Sequence, residues 1–246
     1  MLVFARVSAM LAIFPVFSSN NFPIQLRIAL GALVAYLISV NLPPAATGAL
    51  TLGGWITTLA IEILIGLFLG FVGRMCFYGL DAAGNVLAVE MGIRPSADIN
   101  PVTGASSNAP GLILNYLAIT LFFSLDMHHW FLIAFQKTYD VLPIGGAHLS
   151  SAVFNDLVDR TGWTFLVAIQ IAAPLIAVSF IISLVFSVLA RAVPQMNVFS
   201  ESFAFRAMAG LTVFGMTLSL MAEHISNYLR QLPEDMLRVA QLLGKG

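Results

Sequence analysis

Asp126-Met-His128-His129-Trp130 places a carboxylate and two imidazoles within four residues. Those groups ligate transition metals and relay protons. A closed metal site needs three or four converging ligands. Adjacent histidines project in different directions from a helix, and His148 and His224 lie too far along the chain to complete a set. The segment therefore reads as a helix start, with Asp126 as its cap and His128, His129 and Trp130 at a membrane boundary. No other arrangement points to a reaction. H-E-x-x-H, G-x-S-x-G, the Walker loop and G-x-G-x-x-G are all missing from the sequence, and no serine is spaced to a histidine as nucleophile to base. Cys76, the single cysteine, excludes an internal disulfide and a thiolate metal cluster. The chain reads as a non-enzyme with no cofactor and no metal.

Three carboxylates stand in or beside apolar sequence: Glu62, Glu90 and Asp98. An intramembrane carboxylate is costly and finds a partner or a wet cavity. These three would be the coupling groups of a secondary transporter for a small solute. Such transporters show internal repeats, and the two halves of this chain show no convincing one. Glu62 also begins a stripe with Gly66, Gly70 and Gly73, at i, i+4, i+8 and i+11 on one helix face. Gly66 and Gly70 form a G-xxx-G pair that lets another backbone approach closely. Two occupants fit that stripe: a helix of this chain or a neighbouring subunit. Arg74 is about 18 Å from Glu62 along the axis at 1.5 Å per residue, too far to be its obvious partner.

The elements that carry these residues follow from composition. Hydrophobic residues make up 59% of the 246 and charged residues 9%, against about 25% charged in a soluble domain. Residues 7–26, 28–61, 99–125 and 161–190 contain no Asp, Glu, Lys or Arg. A spanning helix needs roughly 20 apolar residues, so the chain reads as all-α, a polytopic membrane protein of stacked, kinked helical hairpins. No alternating barrel pattern appears. The expected hydrophobic helices are six: 2–17, 28–42, 54–80, 109–125, 162–190 and 207–228. Pro15 and Pro174 should kink theirs. An amphipathic segment, 127–142, precedes a Pro143-Ile-Gly-Gly146 turn. Residues 148–160 read as a short polar helix capped by Ser150 or Ser151, and 233–243 as a tail helix. The net charge of −1 gives no field for nucleic acid. The start lacks a basic region and cleavage site of a signal peptide. Its apolar segment begins at once, so a few residues of the first helix are expected upstream of Met1. With six spans and the N-terminus outside, the positive charges divide five against five, and the positive-inside rule gives no orientation.

Two polar segments interrupt the apolar pattern. Residues 81–111 are the longest. Their second part, including Asp98, Asn100, Pro101, Gly104, Ser106, Ser107 and Asn108, has the small-residue composition of a loop. It fits a solvent connector or a segment that fills a pore, where irregular backbone is tolerated. The other runs Arg191-Ala-Val-Pro194-Gln195-Met-Asn197-Val-Phe199, then Ser-Glu-Ser-Phe-Ala-Phe-Arg206. A turn needs only a few small residues. Phe199, Phe203 and Phe205 would be expensive to expose together. The segment fits a hairpin tip at the headgroup boundary or a docking surface for other subunits.

That run from Leu189 to Phe199 resembles the signature of the FliR family of flagellar export-gate proteins, whose virulence-secretion relatives are called SctT. Other landmarks resemble the family in order: Ala5-Arg6 and Pro15-Val-Phe17, Val89-Glu-Met-Gly92 with Asn100-Pro101, Leu125 to Trp130, and Leu142-Pro-Ile-Gly145. The resemblance spans essentially the whole chain. Glu90 stands where glutamine is expected, Asn100 where aspartate is usual, and Ser202 and Ala204 where glycine and proline are usual.

The resemblance implies a structural subunit of a protein-export channel in the bacterial inner membrane, at the flagellar basal body. Its implied partners are FliP-type and FliQ-type gate subunits, an FlhB-type switch protein, unfolded export substrates and membrane lipid, with no nucleic acid. It implies a FliP-like part over 1–160 and a FliQ-like hairpin over 161–246. Residues 94–110 become the expected pore plug. Arg191, Pro194, Gln195, Asn197, Phe199 and Arg206 become the expected subunit-contact tip.

Overall fold

The computed structural model describes residues 1–18, 22–42, 51–93, 108–147, 150–193 and 198–244, with the side chains of 198–200 outside that description. The described residues form α-helices and no strand: α1 Leu2–Ile13, α2 Pro15–Ser18, α3 Ile24–Asn41, α4 Leu52–Glu90, α5 Ala109–Ser124, α6 Met127–Val141, α7 Ser151–Ala192 and α8 Val198–Gly244. The all-α membrane class is as expected. The six-span count is not. Among the described residues four helices are long and apolar enough to cross a membrane, or five if α5 and α6 are one broken span. The tally of positive charges assumed six crossings, more than the helices that meet this length.

Three helices are longer than their apolar runs. α4 continues through Asp81–Glu90 because Leu80, Ala83, Leu87, Ala88 and Met91 keep a buried face at helical spacing. It ends at Gly92, whose φ of 67° is the left-handed conformation glycine adopts without steric cost. α7 absorbs the polar segment expected as a separate helix, because Val153, Asp156, Thr164, Val167 and Ile171 keep a buried face at helical spacing on both sides of Gly162. α8 likewise runs through Pro233 into the tail. There the packing face outweighs the proline: Leu229, Leu232, Met236, Val239 and Leu243 are all buried.

The chain forms two compact units. The first comprises Met1–Phe77, Phe122–Thr161 and Tyr228–Gly246. Its centre is Phe14, fully buried at the break between α1 and α2. Pro15 disfavours the helical region for the residue before it, and Phe14 is extended at φ −63°, ψ 123°. The break expected as a kink thus aims a ring inward. Phe14 lies 4.5 Å from Phe131, 5.5 Å from Phe122 and 6.2 Å from Phe77, centroid to centroid. Each fully buried side chain of this kind contributes about 1.5–3 kcal/mol. Arg160 bridges Asp156 and Asp235, the latter at 2.6 Å, and Arg238 reaches Asp156 at 3.0 Å. These pairs fasten the α8 tail to the start of α7.

The second unit comprises Tyr78–Leu121 and Gly162–Asn227. Here α4 and α5 touch at glycines: a Cβ on Gly84 would stand 2.2 Å from the Gly111 Cα. Asn108 accepts a bond from the Gly111 N–H at 2.7 Å and donates to Asn85 at 2.8 Å. It is the side-chain cap of α5. Asn115 donates to Asp81 at 2.6 Å. α8 packs on the end of α4, where a Cβ on Gly210 would stand 2.7 Å from Met91.

Candidate functional site

Glu62 has its partner in Arg6. Both side chains are fully buried, with Arg6 Nε at 2.6 Å and Nη2 at 2.9 Å from the two carboxylate oxygens. This is the bidentate fork that guanidinium and carboxylate form best. The rest of the cluster satisfies what remains. Arg6 Nη1 and Nη2 each donate to the Leu142 carbonyl at 3.2 Å. The Gly145 N–H donates to Glu62 at 2.9 Å. The Tyr139 ring lies 4.0 Å from the guanidinium carbon. Gly145 has φ 77°, and the Gly146 N–H bonds the Pro143 carbonyl at 3.0 Å. The expected Pro143–Gly146 turn is therefore present, and it is pinned to α1 and α4 through one ion pair.

The glycine stripe meets α1 of the same chain. A Cβ on Gly66 would stand 2.3 Å from the Arg6 carbonyl oxygen, one on Gly70 2.7 Å from that of Met10, and one on Gly73 2.5 Å from the Phe14 ring. Close backbone approach is what the G-xxx-G spacing permits. It also brings the first helix near enough for Arg6 to reach Glu62.

In the second unit, Glu90 accepts a hydrogen bond from the Ser179 hydroxyl. Ser183 donates to the Ser179 carbonyl at 2.6 Å, and Arg206 Nη2 donates to Ser183 Oγ at 2.8 Å. Arg206, expected at the tip, is half-buried and turned toward α7. Phe203 covers Gly92, and Phe205 meets Phe186 in a tilted contact, 5.3 Å between centroids. Arg191 sits exposed in the last turn of α7.

Asp126 occupies the cap position of α6, as expected, but its side chain makes no capping bond. Its backbone is left-handed, φ 55°, and the carboxylate turns to His129 Nδ1 at 3.6 Å. The argument that adjacent histidines diverge also fails here. The His128 and His129 rings lie 4.1 Å apart at 36°. At the first turn after a left-handed residue both rings fold to one side. A cavity of about 480 Å³ opens between α6 and α8, lined in part by Trp130, Ile133, Lys137, Arg230, Glu234 and Leu237.

Of the expected plug residues, Asn108 is described, as the α5 cap. Asp98, Asn100, Pro101, Gly104, Ser106 and Ser107 lie outside the described residues, as do Pro194, Gln195, Asn197 and the Phe199 side chain.

Reasoning from sequence missed Arg6 as the partner of Glu62. A signal was present: Arg6 is the single charge in residues 1–26, and Glu62 the single one in 28–73. Lone opposite charges in apolar helices have strong reason to meet.

Comparison with known proteins agrees with the whole-chain pattern. The chain is 29% identical to the flagellar biosynthetic protein FliR of Pectobacterium carotovorum subsp. carotovorum over 238 residues, which is 95% of this chain and 90% of that protein. It is 30% identical to FliR of Caulobacter vibrioides over 94% of this chain and 92% of that protein. Identity to FliR of Escherichia coli (strain K12) is 26%, over 97% and 92%. A family model described as bacterial export proteins, family 1, matches residues 1–232. The chain belongs to the bacterial export proteins, family 1.

Proposed function

We propose that this chain is a structural subunit of the flagellar protein-export gate. It helps to form and plug the channel through which unfolded flagellar proteins cross the inner membrane. The match to the export family across residues 1–232, with FliR proteins aligned along nearly their full length, carries this reading. The uncovered apolar surface supports it. Leu33, Tyr36, Leu37 and Val40 of α3, and Phe165, Phe180, Ile181 and Val188 of α7, are all more than half exposed. Surfaces of that size are covered by lipid or by other chains. In this reading residues 1–160 form a FliP-like part and 161–246 a FliQ-like hairpin. FliP-type and FliQ-type subunits cover the bare faces, and an FlhB-type protein meets the Arg191–Arg206 tip. No residue makes or breaks a bond in the substrate.

Residues 94–110 are proposed as the plug, because a Ser, Gly and Ala segment makes few strong contacts and opens at low cost. Two experiments test the assignment. Affinity purification of the chain from membranes should bring down several copies of two smaller hydrophobic proteins. Isolation alone, as a monomer that transports a solute, would overturn it. Deleting residues 102–107, which spares the α5 cap Asn108, should make the membrane leaky to ions while leaving assembly intact. Background conductance in the assembled deletion would remove the plug.

A further inference from the structure

From the corner before α6 we propose that Asp126, His128 and His129 hold one divalent transition-metal ion. One carboxylate oxygen and one nitrogen from each imidazole all lie within 4.8 Å of one another. Ligands on a tetrahedral zinc with bonds of about 2.0–2.1 Å stand roughly 3.3 Å apart. To seat an ion, side-chain rotations have to draw the farthest pair together by roughly 1.5 Å. Two features of the corner favour an ion. Left-handed Asp126 leaves its carboxylate free of the capping bond this position usually makes, directed instead at His129. The Nδ1 of His128 is withdrawn from solvent and has no hydrogen-bond partner, an expensive arrangement for a polar atom. Coordination would satisfy it.

The donor set fixes the class of ion. Two imidazoles with one carboxylate suit zinc, nickel, copper and cobalt, whereas calcium and magnesium require oxygen ligands. Asp126 and His129 are about two-thirds exposed, so water completes the coordination sphere and the ion exchanges with solution. His128 packs on Phe123 at 5.4 Å, which holds one ligand in place. An ion here would tie the left-handed corner to the first turn of α6.

The test uses the full chain without an affinity tag, purified with whatever subunits accompany it, and cobalt(II) and zinc(II) chlorides as probes. Cobalt should saturate at one equivalent per chain, with visible d–d absorption that zinc then abolishes. Magnesium should not compete. The H128A/H129A double variant should bind about tenfold more weakly or worse, and D126N, which keeps the shape of the side chain, should also weaken binding. His224→Ala should change nothing. The proposal is overturned if wild type shows no saturable cobalt spectrum, or if the double variant binds as wild type does. If the double variant fails to fold, the cobalt spectrum of wild type and of D126N decides.

Discussion

Glu62 and Glu90 are both carboxylates on α4, and the two units of the chain treat them in opposite ways. Glu62 is sealed, with a guanidinium, a backbone N–H and no water-accessible surface. Glu90 is half-buried and meets a serine hydroxyl, with two serines standing between it and Arg206. The first arrangement has charge against charge in an apolar core, where removing one partner strands the other. The second grades charge through neutral hydroxyls, where the loss of one link is shared. One knot is rigid and specific; the other string can be rearranged without stranding an ion.

Breaking the knot should have the largest effect. Arg6→Ala leaves the Glu62 carboxylate buried and unpaired and should cost about 3–5 kcal/mol. This would be read as loss of the purified protein or a large fall in melting temperature. Arg6→Met combined with Glu62→Met should recover most of that loss. If the double variant is as unstable as the single one, the ion pair is not the source of the penalty. Gly66→Leu comes next. Its Cβ would press on the Arg6 backbone carbonyl, and overpacking should cost about 1–3 kcal/mol. Coupling between Gly66→Leu and Arg6→Ala in a double-mutant cycle would show that helix approach and ion pairing are one device.

In the other unit the effects should shrink. Asn108→Ala removes the α5 cap and should cost about 1 kcal/mol by thermal unfolding. Ser179→Ala removes one link of the Glu90 string and should cost about 0.5–1.5 kcal/mol. A penalty there as large as that of Arg6→Ala would erase the contrast between the two arrangements. Arg191→Ala, exposed at the end of α7, should change stability by less than about 0.5 kcal/mol yet reduce motility, if the tip docks as proposed.

The class of the molecule and much of its punctuation are legible in the sequence. Charge-free runs marked the membrane helices. Pro15 marked a break, Pro143–Gly146 a turn, and the glycine spacing a close helix contact. Continuity of the long helices was not legible. Gly162 and Pro233 are local signals that favour a stop, and only packing along α7 and α8 shows that the helices continue through them. The Ser179 partner of Glu90 was beyond reach for a different reason. A hydroxyl 89 residues away leaves no periodic trace. The side-by-side setting of the His128 and His129 rings was not legible, because a first turn that follows a left-handed residue departs from ideal helix directions.

α7 has 42 residues and α8 has 47. At 1.5 Å per residue their helical paths add up to about 63 and 70 Å, while the oily slab of a bilayer is about 30 Å thick. Neither can be bathed in acyl chains along its full length. The lengths left over include the charged ends, Asp156 to Arg160 of α7 and Glu223 to Arg238 of α8, and these must stand in water or lean on protein.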